Sequence, residues 1–269
     1  MKLFCKSLLL ILVFISCKKK NNNEVFIPSG ALLTLDTLHV FSGEDIYLTG
    51  KLGVLNAAKI HLDIDANYHA INQKVCYKTQ LTGELNGTVD LFSNLVDTFT
   101  SYVDTGSLKP VYFVRNLKEN KYKLKEYSYF NFDKKIVEVH QLNTKRADSV
   151  RQHSISEHTQ DLISSFHYLR RIDFSKYKIT DTLSIDLDIE ENLQNLKFVQ
   201  LGSEIISTKI GKLKAIVLQP IVPENEMFIG KNPVKVWISD DARRIPLKIK
   251  AKTWVGNVTV EIDKYTQKR

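Results

Sequence analysis

The sequence predicts a mainly β protein: one long curled antiparallel sheet, open and barrel-like, of about a dozen strands, with one short α-helix. Three observations lead there. From about residue 40 apolar side chains recur with period two. The C-terminal hairpins can be paired so that apolar residues fall on one face and charged ones on the other. A single segment carries a helical stripe, and no Gly-, Pro- or Ser-rich linker or fixed repeat divides the chain. Composition agrees, with 43% hydrophobic and 25% charged residues among 269. This is the balance of a globular chain rather than a disordered one.

In chain order, residues 1–17 come first, MKLFCKSLLLILVFISC. Lys2 and Lys6 form a basic start, and Leu8 to Ile15 is an unbroken apolar run. That run is far short of the roughly 20 residues needed to cross a bilayer as a helix, so it reads as a signal peptide. Ser16-Cys17 closes it and resembles a bacterial lipobox, with Phe14 where Leu is usual. The resemblance implies cleavage before Cys17 and acylation of Cys17, palmitate included. Residues 18–36 open with KKKNNNE and read as a polar tether. Lys18, Lys19 and Lys20 would lie at the lipid surface. No Asp follows Cys17, which by resemblance to known sorting rules favours the outer membrane, facing the periplasm. Residues 37–269 then form a single β-rich domain, long enough to bury its own core.

Losing residues 1–17 removes two lysines and no acid, so the net charge falls from +8 to +6. Three of the remaining basic residues, Lys18, Lys19 and Lys20, lie in the tether rather than in the body, which argues against nucleic acid as partner. Of the 3 cysteines only Cys76 would remain free, in a strand, where a small packed residue is expected rather than a nucleophile.

Ala58, Ile60, Leu62 and Ile64 alternate with Lys59, His61, Asp63 and Asp65, so His61 belongs to the wet face. Thr159 is placed to cap a helix over Gln160–Arg171, whose Leu162, Ile163, Phe166 and Leu169 share one stripe. Arg170 and Arg171 suit its C-terminal end. Leu183, Ile185, Leu187 and Ile189 alternate with Ser184, Asp186, Asp188 and Glu190, whose carboxylates read as a solvated face, not a calcium loop. Asp240-Asp241-Ala242-Arg243 reads as a turn, pairing Ile238 with Ile245, Val236 with Leu247, Val234 with Ile249 and Lys235 with Lys248. Gly256-Asn257 reads as a two-residue turn, pairing Val255 with Val258, Trp254 with Thr259, Lys252 with Glu261 and Lys250 with Asp263.

These hairpins place Lys235, Trp237, Lys248, Lys250, Lys252 and Trp254 on one face. That face can take an anionic or glycan ligand, or it is a solvated face whose lysine stems cover the indoles. Other constellations are weaker. Asp240-Asp241 are neighbours in a turn, not carboxylates on converging walls. His153, Glu157, His158 and Asp161 lack the spacing of a zinc helix, so no metal or cofactor is expected. Asp36-Thr37-Leu38, Asp148-Ser149-Val150 and Asp181-Thr182-Leu183 resemble bacterial O-glycosylation tripeptides.

Several stretches resemble one family: GEDIYLTGKLGVLNAAKIHLDI at 43–64, DTFTSYVDTGSLKPVYF at 97–113, QDLISSFHYLRR at 160–171, GSEIISTKIGKLKAIVLQP at 202–220 and KVWISDDARRIPLKIKAKTWVGNVTVEI at 235–262. Their order and spacing over about residues 40–265 are similar to the bacterial domain-of-unknown-function family 3108. That resemblance implies exported or lipid-anchored, β-rich envelope proteins with no established activity, so it assigns no catalytic residue. The curled sheet with a helix also resembles lipoprotein-sorting and lipid-carrying envelope proteins, at the level of fold alone. The expected function is a monomeric, non-enzymatic envelope lipoprotein that binds a lipid, glycan or protein partner on its concave face. A hydrolase or transferase acting on envelope polymers, and a structural or assembly protein, are the alternatives.

Overall fold

A computed structural model describes residues 42–86, 94–189, 192–222 and 227–268. The signal-like segment, Cys17 and the basic tether lie outside the described residues. The strands are β1 (Glu44–Leu52), β2 (Leu55–Ile71), β3 (Lys74–Leu85), β4 (Leu95–Asp104), β5 (Pro110–Glu119), β6 (Tyr122–Asn131), β7 (Ile136–Asn143) and β8 (Ser149–Ser154). Helix α1 (Leu162–Arg171) and a 3-10 turn (Phe174–Lys176) follow. The chain then returns through β9 (Thr182–Ile189), β10 (Asn192–Thr208), β11 (Gly211–Pro220), β12 (Val234–Ser239), β13 (Pro246–Thr253) and β14 (Gly256–Gln267).

All of them form one 14-stranded sheet in the order β8-β7-β6-β5-β4-β3-β2-β1-β14-β13-β12-β11-β10-β9. Every pairing is antiparallel, and every neighbour is sequential except β1 with β14. The chain is thus two meanders that join where its first and last strands meet. β8 and β9 are left as edges. The chain crosses between them through residues 155–181, where Gln160 N–H donates to Asp186 O and accepts at its own carbonyl from Asp188 N–H, both at 2.8 Å. His153 on β8 reaches Asp188 on β9 at 2.6 Å. The sheet is therefore unclosed by backbone but bridged by this segment.

Ala58, Ile60, Leu62 and Ile64 all point inward, as do Leu183, Ile185, Leu187 and Ile189. One apolar cluster joins residues of β1–β5 and β9–β14 with Ile163 of the helix, so the concave side is filled. α1 packs against β3, β4 and β9. The segment before it also changes the fate of the acids on β9. Asp186 is buried, accepting from Ser156 Oγ and Asn195 Nδ2 at 2.7 Å, and Asp188 is covered by His153. The expected solvated face is in fact the edge on which the crossing segment docks, a long-range pairing that alternation does not reveal.

Thr159 is not the helix cap. Its Oγ1 accepts from Ser156 N–H, while Asp161 caps α1 by accepting from the N–H groups of Ile163 and Ser164 at 2.7 Å. Ser164 Oγ accepts in return from Asp161 N–H, completing a capping box. Arg170, expected to serve the helix C-terminus, is buried and paired with Glu44 at 2.7 Å. Arg244 serves that end, donating to the carbonyls of Arg170 and Ile172.

Both C-terminal hairpins depart from the expected register. The β13–β14 turn is Trp254-Val255, so Ala251 faces Val258, Lys252 faces Asn257 and Lys248 faces Glu261. Gly256 follows the turn with φ +129°, a conformation that side chains resist. Gly53 N–H donates to Asn257 O at 2.8 Å, holding Asn257 in the sheet rather than in a turn. In β12–β13, Val234 faces Ala251, Lys235 faces Lys250 and Trp237 faces Lys248, with a shift before Ile238 and Pro246. Pro246 has no N–H to give a ladder, which favours an irregularity there. Within the regular ladders both displacements are even and so keep the side chains on their expected faces; the irregularity at Ile238 and Pro246, and Trp254 in the turn, are the exceptions. Alternation alone cannot choose among such registers.

Candidate functional site

The outer face of β12–β14 carries an open groove of about 530 Å³. β12 turns Val234, Val236 and Ile238 inward and therefore Lys235 and Trp237 outward. β13 buries Leu247, Ile249 and Ala251 and turns Lys248, Lys250 and Lys252 outward. The groove is lined by Lys235, Trp237, Lys250 and Lys252, together with Asn232 and Asn257.

Trp237 is only 7% exposed although it sits on the outer face. Its indole Nε1 donates to Glu204 Oε1 at 2.5 Å, and Lys250 Nζ stands 6.0 Å from the ring centre. The indole is a satisfied, rigid floor. The charges above it are different. Lys235 and Lys250 lie directly opposite each other, and like charges so placed repel. Among the described residues no carboxylate lies within ion-pair distance of Lys235, Lys250 or Lys252. Most of the other outward lysines of this region are neutralised. Lys248 and Lys51 share Glu261 at 2.6 and 3.0 Å, Lys209 meets Asp263 at 2.5 Å, and Lys214 meets Asp240 at 2.6 Å. The bond from Lys248, then that from Lys51, holds the Glu261 carboxyl below its ordinary range against the effect of burial.

The residues expected on one face thus divide. Lys235, Trp237 and Lys250 come together. Lys248 is consumed by Glu261. Trp254 stands in the β13–β14 turn, 48% exposed, and is not part of the groove lining. Asn257, read from sequence as a turn residue, is a groove residue instead. The sequence signal that separates Lys248 from its neighbours is Glu261, legible only in the correct register.

A second cluster lies on the outer face of β1–β2. Asp45 and Asp63 face each other, and His61, stacked on Tyr47, reaches Asp45 Oδ1 at 2.9 Å. His61 therefore has a partner that its place on a wet face did not suggest. The donor atoms of these three residues lie within 4.8 Å of one another, a spacing compatible with a cation. Lys268 already supplies the positive charge, 2.8 Å from Asp45 and 3.9 Å from Asp63. Burial and the neighbouring Asp45 raise the Asp63 carboxyl, while Lys268 and His61 hold Asp45 down despite burial.

The remaining polar residues near the core hold the helix. Thr79 Oγ1 and His167 Nε2 are 2.7 Å apart, and Ser101 Oγ donates to Asp161 at 2.5 Å. Burial, reinforced by Arg170, pushes His167 down to about 3, and burial pushes Asp161 up to about 6 against its hydrogen bonds. Asp97 is bound by Arg115 at 2.6 Å. Cys76 is buried and its thiol is pushed up to about 11, chiefly by burial, which suits a packed residue. Asp241 is a turn residue: its carboxylate accepts from Ser239 Oγ and from the Arg243 backbone and side chain.

The family model for "Protein of unknown function (DUF3108)" matches residues 45–263. The chain belongs to this family. The match runs from β1 into β14, so it takes in nearly all of the sheet, the helix and the Lys235–Trp237–Lys250 groove. No curated protein matches the sequence. Among solved structures, a beta-barrel-like protein of the domain-of-unknown-function family DUF1849 from Brucella abortus is similar with TM-score 0.54 and 10% identity, covering 84% of this chain and 97% of that chain. That likeness concerns the fold. A protein from Parabacteroides distasonis described as a candidate lipoprotein gives a TM-score of 0.30 at 7% identity, covering 84% of this chain and 95% of that one.

Proposed function

We propose that this DUF3108 protein is a binding module of the bacterial cell envelope. Its groove takes the phosphate or carboxylate groups of an anionic envelope ligand and does no chemistry on them. The observation that carries this reading is one groove lined by Lys235, Lys250, Lys252 and Trp237, in which none of the three lysines has a carboxylate partner among the described residues. Two of them, Lys235 and Lys250, repel each other across adjacent strands, and a bound anion relieves that repulsion. The filled concave side favours this outer groove over carriage of a lipid inside the sheet. The inner carboxylates of Glu44, Asp97 and Asp161 are each bound by Arg170, Arg115 or the start of α1, which favours binding over hydrolysis or group transfer.

The same reading places a lipid on Cys17, anchored in the outer membrane and facing the periplasm, with residues 18–36 as tether. It rests on the basic start, the apolar run and Ser16-Cys17. A Cys17→Ser variant loses acyl label and membrane association; unchanged labelling and fractionation contradict the anchor. Calorimetric titration with tetragalacturonate and with maltotetraose tests the groove. The charged tetramer binds, more weakly as salt rises, and the neutral one does not. Equal binding of the two contradicts an anion site.

A further inference from the structure

One end of the sheet gathers exposed apolar loop tips beside the groove lysines. The β1–β2 turn presents Val54 at 92% exposure and Leu55 at 54%, the β13–β14 turn presents Trp254 at 48%, and the approach to β12 presents Ile229 at 54%. These are three separate stretches of chain, joined by backbone bonds. Gly53 N–H donates to Asn257 O at 2.8 Å, Trp254 N–H to Met227 O at 3.0 Å, and Ile229 N–H to Lys252 O at 3.1 Å. They form one fixed platform.

Among the described residues its charge is basic. Residues 51–56, 227–233 and 248–259 contain no Asp or Glu, the second stretch following directly on Glu224 and Glu226, and they carry Lys51, Lys231, Lys248, Lys250 and Lys252. Lys51 and Lys248 are spent on Glu261. Lys250 and Lys252 line the groove with Lys235, and Lys231 is exposed in the loop beside it. Aliphatic tips and an indole next to unneutralised ammonium groups match the layering of a lipid interface. There, apolar side chains reach the acyl boundary, Trp sits at headgroup level and lysines meet phosphate.

We propose that this end of the sheet docks onto an anionic lipid bilayer, with Val54, Leu55, Ile229 and Trp254 entering the interface and Lys231, Lys235, Lys250 and Lys252 holding headgroup phosphates. This rests on the groove's affinity for anions and names its source. It is separate from the Cys17 anchor, because it orients the folded body itself against the membrane. A neutral surface gives the lysines nothing to pair with, and a soluble anion gives the apolar tips nothing to enter.

The test reads Trp254, so that attachment through the N-terminal segment does not confuse it. The full chain is mixed with phosphatidylcholine vesicles, or with vesicles containing phosphatidylglycerol, in which the acyl chains carry bromine. Tryptophan emission is quenched and shifted to the blue with the anionic vesicles and not with the neutral ones, and a Trp254→Phe variant loses the quenching. Lys250→Glu/Lys252→Glu lowers the vesicle affinity read this way by about tenfold or more. Val54→Asp/Leu55→Asp abolishes quenching while leaving titration with tetragalacturonate unchanged. Absence of quenching while tetragalacturonate still binds overturns the docking and leaves the groove reading standing. Absence of both overturns both. Quenching that ignores the two lysines, or that is equal on neutral vesicles, overturns the docking as described.

Discussion

Lys235 stands directly opposite Lys250 across the β12–β13 ladder, with no carboxylate in reach of either among the described residues. Folding alone would favour opposite charges at such a pair. A Lys235→Glu variant is accordingly expected to separate stability from binding. Thermal or urea unfolding shows an unchanged or slightly more stable fold, by at most about 1 kcal/mol, as for an exposed cross-strand pair. Titration with tetragalacturonate shows affinity lost. A variant that is destabilised and still binds contradicts the role given to this pair.

Arg170 and Glu44 form a buried pair that ties α1 to β1, and Tyr265 Oη donates to the same carboxylate at 3.2 Å. Removing one partner strands the other charge in the core. Glu44→Gln is expected to cost about 3–5 kcal/mol in urea unfolding. A cost below about 1 kcal/mol contradicts the burial of this pair.

His167 is neutral in the folded protein, pushed down to about 3 by burial and then by Arg170. The unfolded chain takes up a proton near the ordinary value of about 6.5. Its contribution to stability is therefore complete above about pH 6.5 and is lost as pH falls from there toward 3. Unfolding followed across that window shows a shallower acid loss for His167→Gln than for the native chain. An equal slope in both assigns the acid sensitivity to other groups.

The two registers of the last hairpin differ in which residues face each other. In a Cys17→Ser background, Lys252→Cys/Asn257→Cys is expected to form a disulfide on oxidation, because those positions pair. Lys252→Cys/Glu261→Cys is not. Peptide mapping distinguishes the two. Cross-linking of the second pair alone contradicts the observed turn at Trp254-Val255.

Much of this architecture is written in the residues. The alternation at 58–64 and 183–189 marks inward and outward faces correctly, since burial follows the pleat wherever one face meets a core. Asp186 escapes that reasoning. Its burial depends on Gln160 and Ser156 docking on the β9 edge, contacts that close only after the chain has crossed from β8. The helix cap moved from Thr159 to Asp161 because Thr159 is spent on Ser156, a local competition between two good capping residues. The groove was legible as a basic face with indoles. Its composition was not, because a displacement of the strands that leaves the ladder side chains on their own faces still decides whether Glu261 neutralises Lys252 or Lys248.

The most direct test is a residue-resolved one. Lysine side chains are labelled with ¹³C-methyl groups, and the signals of Lys235, Lys248, Lys250 and Lys252 are followed by NMR as tetragalacturonate is added to the full chain. The account predicts saturable shifts at Lys235, Lys250 and Lys252 with one common affinity, while Lys248, held by Glu261, stays in place. No shift at the three, or uniform shifts at Lys248 and at lysines elsewhere on the surface, would contradict a built anion groove.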